Sequence, residues 1–219
     1  MKLYIVRHGD PNYETDTLTE RGIAEASALA EWFKDKNLDK IYSSPSPRAL
    51  ETASYTCKVT GLEAENLQWI GEHYDFMESS GLKHDHDCTY SFSVQKGIHN
   101  FEHFVKDEDK MSIINDMIKG SDELFASYGY VREGAMYRVA EHNDKSIAVF
   151  CHGGAGASWI GHLLGLAPAL SFVPIVIETS SVTMFEFVKE PDEYIRPELR
   201  YLGALHHLYA AGVKEKIRY

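Results

Sequence analysis

Short runs of apolar residues mark the predicted strands. Residues 2–6 (KLYIV) and 146–151 (SIAVFC) are almost wholly apolar and rich in β-formers, which indicates strands buried on both faces of a sheet. Four further segments predict strands: residues 40–43, 66–70, 181–188 and 199–205.

Helices are predicted between these strands. In residues 19–36, Thr19 is a suitable N-cap and apolar residues recur at helical spacing. Ser46-Pro47 is a favourable helix start, and Gly61 ends that helix near residue 60. Residues 155–164 predict a small-residue helix. Alternation of strands and helices predicts a three-layer α/β/α sandwich with a mainly parallel central sheet.

The middle of the chain has a different pattern. Residues 74–138 contain no convincing strand, whereas residues 91–106 and 109–142 have helical periodicity, the latter with Gly120, Gly129 and Gly134 as interruptions. We therefore expect a single domain over residues 1–219, with a helical cap inserted at about 74–138. Four of its side chains are candidates for a pocket rim or for the cap's own small core: Tyr74, Phe76, Met77 and Tyr90.

Composition and charge narrow the function. The 219 residues carry 22 basic and 33 acidic side chains, a formal net charge of −11, which disfavours nucleic acid and anionic lipid as partners. We expect no signal peptide, no membrane-spanning helix and a cytoplasmic location. Three cysteines without a CxxC pair argue against a disulfide scaffold.

Two predicted strands end in histidine followed by glycine. Arg7-His8-Gly9 follows the first strand, and His152-Gly153-Gly154 follows the later buried one. In parallel sheets the ligand site lies beyond the carboxyl ends of the strands. Arg48 in the first turn of a helix adds a donor fork that suits phosphate. Glycine beside these groups permits close approach of a ligand. Together they predict a phosphoryl pocket in which an imidazole is a competent nucleophile; the alternative is solvated or ion-paired side chains.

Four sequence blocks in this order resemble the histidine phosphatase superfamily, also called phosphoglycerate-mutase-like: LYIVRHGD, LTERG, IYSSPSPRALETA and AVFCHGGAG. The resemblance covers about residues 1–72 and 145–190. It implies that His8 is the nucleophile that becomes phosphohistidine. It also implies that Arg7 and Arg48 clamp the phosphoryl oxygens, with a further hydrogen bond from His152 and help from the Gly153 amide.

The resemblance further implies a carboxylic acid after the third strand as proton donor to the leaving group. Glu72 is the first candidate for this role and Asp75 the second. Asn12 is a candidate phosphate ligand, although it does not align with the corresponding family position. Residues 180–183 resemble the strand that closes the family's sheet, and a structural role is expected for them.

A phosphatase acting on a small phosphorylated metabolite is favoured over a mutase. Only residues 10–17 separate the RHG block from LTERG, whereas mutase-like members have a longer loop. A phosphoglycerate-mutase-type phosphotransferase and a non-catalytic phospholigand-binding domain stay open as alternatives. The chain's C-terminal stretch from Tyr201 to Tyr209 suits either core or interface, which leaves a homodimer open.

No metal or other cofactor is expected, because cationic side chains supply the charge that Mg²⁺ supplies elsewhere. His84-Asp85-His86-Asp87-Cys88 contains plausible ligand types, but a solvated polar loop accounts for it better. The segment at residues 99–103 fits the HxxEH pattern of one zinc-protease group without an evident third ligand. Cys151 precedes His152 on a buried strand and is expected to be a small hydrophobe.

Overall fold

The computed structural model describes residues 1–72, 108–166, 175–188, 191 and 193–214. Its main elements follow the chain in this order: β1 (Lys2–Arg7), β2 (Pro11–Asn12), β3 (Thr17–Leu18), α1 (Glu20–Phe33), β4 (Lys40–Ser43), α2 (Pro47–Thr60), β5 (Ala64–Asn66), α3 (Glu108–Ser127), β6 (Tyr130–Glu133), β7 (Met136–Val139), β8 (Ser146–Cys151), α4 (Gly153–Leu163), β9 (Val182–Glu186), β10 (Tyr194–Ile195), β11 (Glu198–Ala204) and α5 (His206–Ala211). Short 3-10 turns lie at Lys34–Lys36 and Gln68–Ile70.

Within the described residues, six strands form the central sheet in the order β11-β9-β1-β8-β4-β5. Strands β1, β8, β4 and β5 run parallel. Strand β9 pairs antiparallel with β1, and the edge strand β11 pairs antiparallel with β9. The prediction of a mainly parallel α/β sheet is therefore confirmed.

Helices cover both faces of this sheet. Successive residues of β1 point to opposite sides, so Tyr4 and Val6 pack with Leu29 and Phe33 of α1. Leu3 and Ile5 face the other way, into a cluster that includes Trp159 of α4 and Phe125 of α3. Both faces of the strand are buried, which explains its continuous apolar run.

The third predicted strand lies earlier than expected. The strand is β5 at Ala64–Asn66, and the predicted segment 66–70 instead forms a 3-10 turn in which Ile70 is buried. β5 is an edge strand with two of its three residues exposed, so no apolar run marks it.

The expectation of helix throughout residues 109–142 is wrong in its second half. Helix α3 ends at Ser127, and β6 and β7 then pair as an antiparallel hairpin. Gly129 and Gly134 have φ values of +84° and +62°, which suit a turn before each strand. Buried Tyr130, Tyr137 and Val139 anchor the hairpin to the core. The described part of the predicted cap is thus not wholly helical.

Gly120 does not interrupt α3 as expected. It lies within the helix, and a Cβ on Gly120 would come within 2.2 Å of the Trp69 ring. The glycine therefore permits close packing between the helix and the segment before Glu72. Phe125 of the same helix packs on Trp159. This part of α3 belongs to the main core, while the division of the whole chain into core and cap stays a prediction.

Candidate active site

The carboxyl ends of β1 and β8 carry the two histidines. The strands pair with Arg7 beside Cys151, so His8 and His152 leave the sheet side by side. The His8 amide donates to the Cys151 carbonyl over 2.9 Å, and the two ring centroids lie 5.3 Å apart. The strand order thus brings together the imidazoles that the sequence places 144 positions apart.

The His8 ring is buried and held in one tautomer. Its Nδ1 lies 2.7 Å from the Gly9 carbonyl oxygen, which can only accept, so Nδ1 carries the proton and Nε2 keeps a free lone pair. Burial, which outweighs the raising effects of the Gly9 bond and the Asp10 charge and is assisted by the Arg7 and Arg48 charges, lowers the pKa of His8 to about 3. His8 therefore presents a neutral nitrogen at neutral pH.

Arg48 and His152 contact each other directly. Arg48 Nη2 donates to His152 Nδ1 over 3.0 Å, and because arginine has no acceptor, Nδ1 holds the lone pair. The opposite ring nitrogen, Nε2, then donates to Ser44 Oγ over 2.7 Å. Arg48 is 4% exposed and His152 is fully buried. Helix α2 begins at Pro47, so its first turn places the guanidinium at the site.

Arg48 also reaches the outer rim. Its Nη1 donates to Asp16 Oδ1, and its guanidinium carbon lies 5.8 Å from the centre of the Tyr13 ring. Asp16 has a φ of +52°, and its side chain is about one-third exposed. The short loop between β2 and β3 therefore supplies a carboxylate and an aromatic ring beside the candidate phosphate ligand.

One nitrogen of the Arg7 guanidinium is hydrogen-bonded to the backbone, and another is not. Its Nη1 donates to the Ile177 carbonyl over 2.7 Å. Within the described residues, its buried Nε finds no acceptor. A Cβ on Gly153 would lie 3.3 Å from that Nε, so glycine leaves room for the guanidinium. Buried donors normally have partners, so this Nε marks a place for an acceptor from a ligand.

Gly9 lies in close contact with the first turn of α1. A Cβ on Gly9 would lie 2.8 Å from the backbone oxygen of Gly22, and the Gly9 amide donates to Thr52 Oγ1 over 3.0 Å. Thr52 Oγ1 in turn donates to the Arg48 carbonyl over 2.7 Å. The glycine thus allows α1 to approach the loop after β1. Thr52 links this loop to the first turn of α2, which carries Arg48.

Glu72 lies within reach of both partners of the central hydrogen bond. Its Oε2 is 3.6 Å from His152 Nδ1 and 3.9 Å from Arg48 Nη2. Burial raises the pKa of Glu72, against the opposing effects of the arginines and of the Ala155 and Gly154 amides at the start of α4. A carboxyl group with a raised pKa suits a proton donor.

Other predicted site residues have different outcomes. Asn12 Oδ1 accepts from the Glu14 amide over 3.0 Å, so this side chain caps its own turn. Burial raises the pKa of Cys151 to about 12, in keeping with a small hydrophobe. Several candidates lie outside the described residues: the alternative acid Asp75, the rim candidates at 74, 76, 77 and 90, and the metal motifs at 84–88 and 99–103.

Sequence reasoning missed Ser44, Thr52, Asp16 and Tyr13. Ser44 and Thr52 lie within the matched IYSSPSPRALETA block, so their position in that motif was an available signal. Asp16 and Tyr13 lie in the loop between β2 and β3, a region where the sequence predicts only Asn12 as a phosphate ligand.

Three side chains of the site form a potential metal-binding set. Among the described residues, ligand atoms of His8, Glu72 and His152 all lie within 4.8 Å of one another. No ligand-spacing motif in the sequence marks this set, because the three residues belong to separate motifs. The expectation that no metal is required stays a prediction.

None of the described helices combines the length and apolar character needed to cross a bilayer.

The sequence model of the histidine phosphatase superfamily (branch 1) matches residues 3–92. No curated protein matches the chain significantly. Among solved structures, a phosphoserine phosphatase from Entamoeba histolytica is similar, with a TM-score of 0.60 and 23% identity over 94% of this chain and 98% of that one.

Two further structures have comparable similarity. The alpha-ribazole phosphatase from Shigella flexneri has a TM-score of 0.58 and 19% identity over 94% of this chain and 97% of its own. A mycobacterial glucosyl-3-phosphoglycerate phosphatase has a TM-score of 0.60 and 18% identity, covering 93% and 98%. At these identities the similarity establishes the fold, and the resemblance to the histidine phosphatase superfamily that the motifs predict is confirmed.

Proposed function

We propose that this protein is a phosphomonoesterase that transfers the phosphoryl group of a small phosphorylated metabolite to His8 and then to water, without a metal ion. The observation that carries the proposal is the free lone pair of His8 Nε2, held beside Arg7, Arg48 and His152. A nucleophile, cationic donors and a carboxyl group of raised pKa are the parts that phosphoryl transfer requires.

In the first step, His8 Nε2 attacks phosphorus and the bond from phosphorus to the leaving oxygen breaks. The leaving oxygen takes the proton of Glu72, whose raised pKa favours the protonated form. Arg7 Nε, which has no acceptor among the described residues, binds a phosphoryl oxygen. Arg48 binds another, and the charge that develops on these oxygens is thereby stabilised.

In the second step, the Glu72 carboxylate takes a proton from water, and the water oxygen attacks phosphorus. The bond from phosphorus to Nε2 breaks, and His8 regains its lone pair. His152 reaches a phosphoryl oxygen through Nδ1 only after that nitrogen gains a proton, because Nε2–H is already directed at Ser44. The incoming phosphomonoester is the natural source of that proton.

Several observations favour a small phosphomonoester. The net charge of −11 leaves positive charge concentrated at this pocket, which suits a single phosphoryl group better than a long phosphate backbone. The similar structures act on phosphoserine, alpha-ribazole phosphate and glucosyl-3-phosphoglycerate by their names, so these three compounds head a substrate panel.

The direct test is turnover of p-nitrophenyl phosphate and of this panel in the presence of EDTA. We expect activity in EDTA, an acid-labile phosphoenzyme after rapid quench, and loss of both in His8→Gln. His142→Gln, a change at a partly exposed histidine outside the site, is the matched control. Phosphoryl transfer between phosphoglycerates without net hydrolysis would favour the mutase. Vanadate binding without turnover would favour a binding domain.

A further inference from the structure

The two active-site imidazoles are oriented in the way that metal-binding histidines usually are. Such histidines donate their other N–H to a carbonyl, carboxylate, hydroxyl or water, which fixes the ring. His8 Nδ1–H donates to the Gly9 carbonyl, and His152 Nε2–H donates to Ser44 Oγ, each over 2.7 Å. The remaining nitrogens, His8 Nε2 and His152 Nδ1, both hold lone pairs.

These two nitrogens and the carboxyl group of Glu72 lie close together. Ligand atoms of His8, His152 and Glu72 lie within 4.8 Å of one another, and Glu72 Oε2 is 3.6 Å from His152 Nδ1. Two histidines with one glutamate and an open fourth position form a well-known ligand set for Zn²⁺. A contraction of about 1.5 Å in the widest pair brings the set to tetrahedral spacing.

We propose that His8, Glu72 and His152 form an inhibitory binding site for a divalent transition-metal ion such as Zn²⁺. The metal would occupy the lone pair with which His8 attacks phosphorus, so metal and phosphoryl substrate exclude each other. The inhibition rests on the proposed function; the metal binding does not.

The arginines limit the affinity of this site. Arg48 Nη2 lies 3.0 Å from His152 Nδ1 and must withdraw before a metal can bind there. Asp16 accepts from Arg48 Nη1 and offers the displaced guanidinium an ionic partner at the rim. Arg7 adds a further repulsive charge. Zinc binding is therefore expected to be reversible and removable by EDTA, unlike that of a resident structural zinc.

The test measures metal binding directly. Zn²⁺ is titrated calorimetrically into the EDTA-treated and desalted protein, and Co²⁺ is titrated as a visible-spectrum probe. Both titrations are repeated with saturating vanadate, with His8→Gln and with Glu72→Gln, which keeps the size of the side chain. His142→Gln is the matched control, since partly exposed His142, with Asp144 3.4 Å away, is a histidine–carboxylate pair outside the proposed site. Circular dichroism melts check the folding of each variant.

The expected result is one equivalent of zinc that vanadate prevents from binding, with affinity weakened about tenfold or more in both active-site variants and unchanged in the control. Zinc that binds equally well to His8→Gln, or to protein that calorimetry shows to have vanadate bound, would place the metal elsewhere and overturn the proposal. The histidine-rich motifs at 84–88 and 99–103 are the competing locations. Because binding is measured without turnover, a protein that binds zinc here but hydrolyses no phosphomonoester would refute only the proposed function.

Discussion

Arg48 and His152 satisfy each other across the candidate active site, with Arg48 Nη2 donating to His152 Nδ1 over 3.0 Å. Both side chains are buried, so the bond forms in a region of low dielectric where it is strong. A phosphoryl oxygen that binds between them must replace it. The Arg48 guanidinium therefore both holds the His152 ring in place and is expected to bind the phosphoryl group.

Arg48→Lys tests this dependence. Lysine offers a point charge instead of a planar fork, so it cannot contact Asp16 and the phosphoryl group together. We expect kcat for phosphomonoesters to fall about 100-fold, the scale seen when one transition-state donor is lost. Arg138→Lys, a change in a surface pair with Glu133, is the matched control and should retain full activity. Equal kcat in the two variants would exclude a role of the fork.

Much of this site follows from local sequence. The strands β1 and β8 are continuous apolar runs because both faces are buried, and that pattern can be recognised without tertiary information. Chain direction then places the residues after each strand at one sheet edge. The sequence pattern therefore predicts that His8, His152 and the start of α2 lie close together.

The remaining features depend on contacts between distant positions. Ser44 orients His152, 108 residues away, and no spacing rule encodes that pair. The hairpin β6–β7 follows the amphipathic helix α3 directly, and its strands of four residues are too short to distinguish from a continuation of the helical pattern. Sequence spacing predicts an interruption at Gly120, because the Trp69 ring that fills the space beside this glycine is 51 positions away and leaves no local signal.

Glu72→Gln tests the proton donor. The amide cannot supply the proton, so we expect kcat to fall by about 100-fold or more for alkyl phosphates and much less for p-nitrophenyl phosphate, whose leaving group needs no proton. The phosphoenzyme-forming step, measured by rapid quench, should show the same difference. A uniform loss for both substrates would indicate that Glu72 only shapes the pocket.

The pH dependence of kcat is a second test of Glu72 as the proton donor. Its pKa is raised by burial, and the protonated form is the donor, so kcat for a poor leaving group should decline as pH rises through that pKa. His8, with a pKa of about 3, stays unprotonated across the range and adds no decline near neutrality. The alkaline decline should be absent in Glu72→Gln. Its persistence there would assign it to another group.

Ser44→Ala tests the orientation of His152. The change leaves the buried Nε2–H without its acceptor, which costs roughly 1–3 kcal/mol and frees the ring to turn. We expect about a tenfold loss of kcat with a smaller change in KM. Ser44→Thr, which restores a hydroxyl, should recover part of the rate, and failure of this rescue would argue for a packing effect. Ser54→Ala, on the outer part of α2, serves as control.

Gly22→Ala tests the contact between α1 and the loop after β1. A Cβ at Gly22 would lie 2.2 Å from the Asp10 carbonyl oxygen, a backbone atom that cannot move aside cheaply. We expect a loss of roughly 1–3 kcal/mol in the free energy of unfolding, although alanine is the better helix former. Ala24→Gly, at an exposed position of the same helix, should cost about 1 kcal/mol or less. A Gly22→Ala protein as stable as wild type in urea denaturation would contradict the close packing.

His207 links the C-terminal helix to the active-site loop and should make the protein sensitive to acid. Its Nε2 lies 3.0 Å from Ser180 Oγ, and the Ser180 amide donates to the His8 carbonyl over 3.0 Å. Burial, with a smaller effect of His206, lowers the pKa of His207 to about 4, against 6.5 for a free histidine. Between these values the unfolded chain binds the proton and the folded protein does not. The free energy of unfolding therefore decreases as pH falls from 6.5 towards 4, by up to about 1.4 kcal/mol per pH unit from this residue.

His207→Gln removes the titration while keeping a polar partner for Ser180. Urea denaturation at pH 7, 6 and 5 should show the variant losing less stability than wild type, and His8 contributes equally to both. His142→Gln, at a partly exposed position away from His207, should follow the wild-type curve. A His207→Gln curve parallel to wild type would show that His207 does not titrate on unfolding.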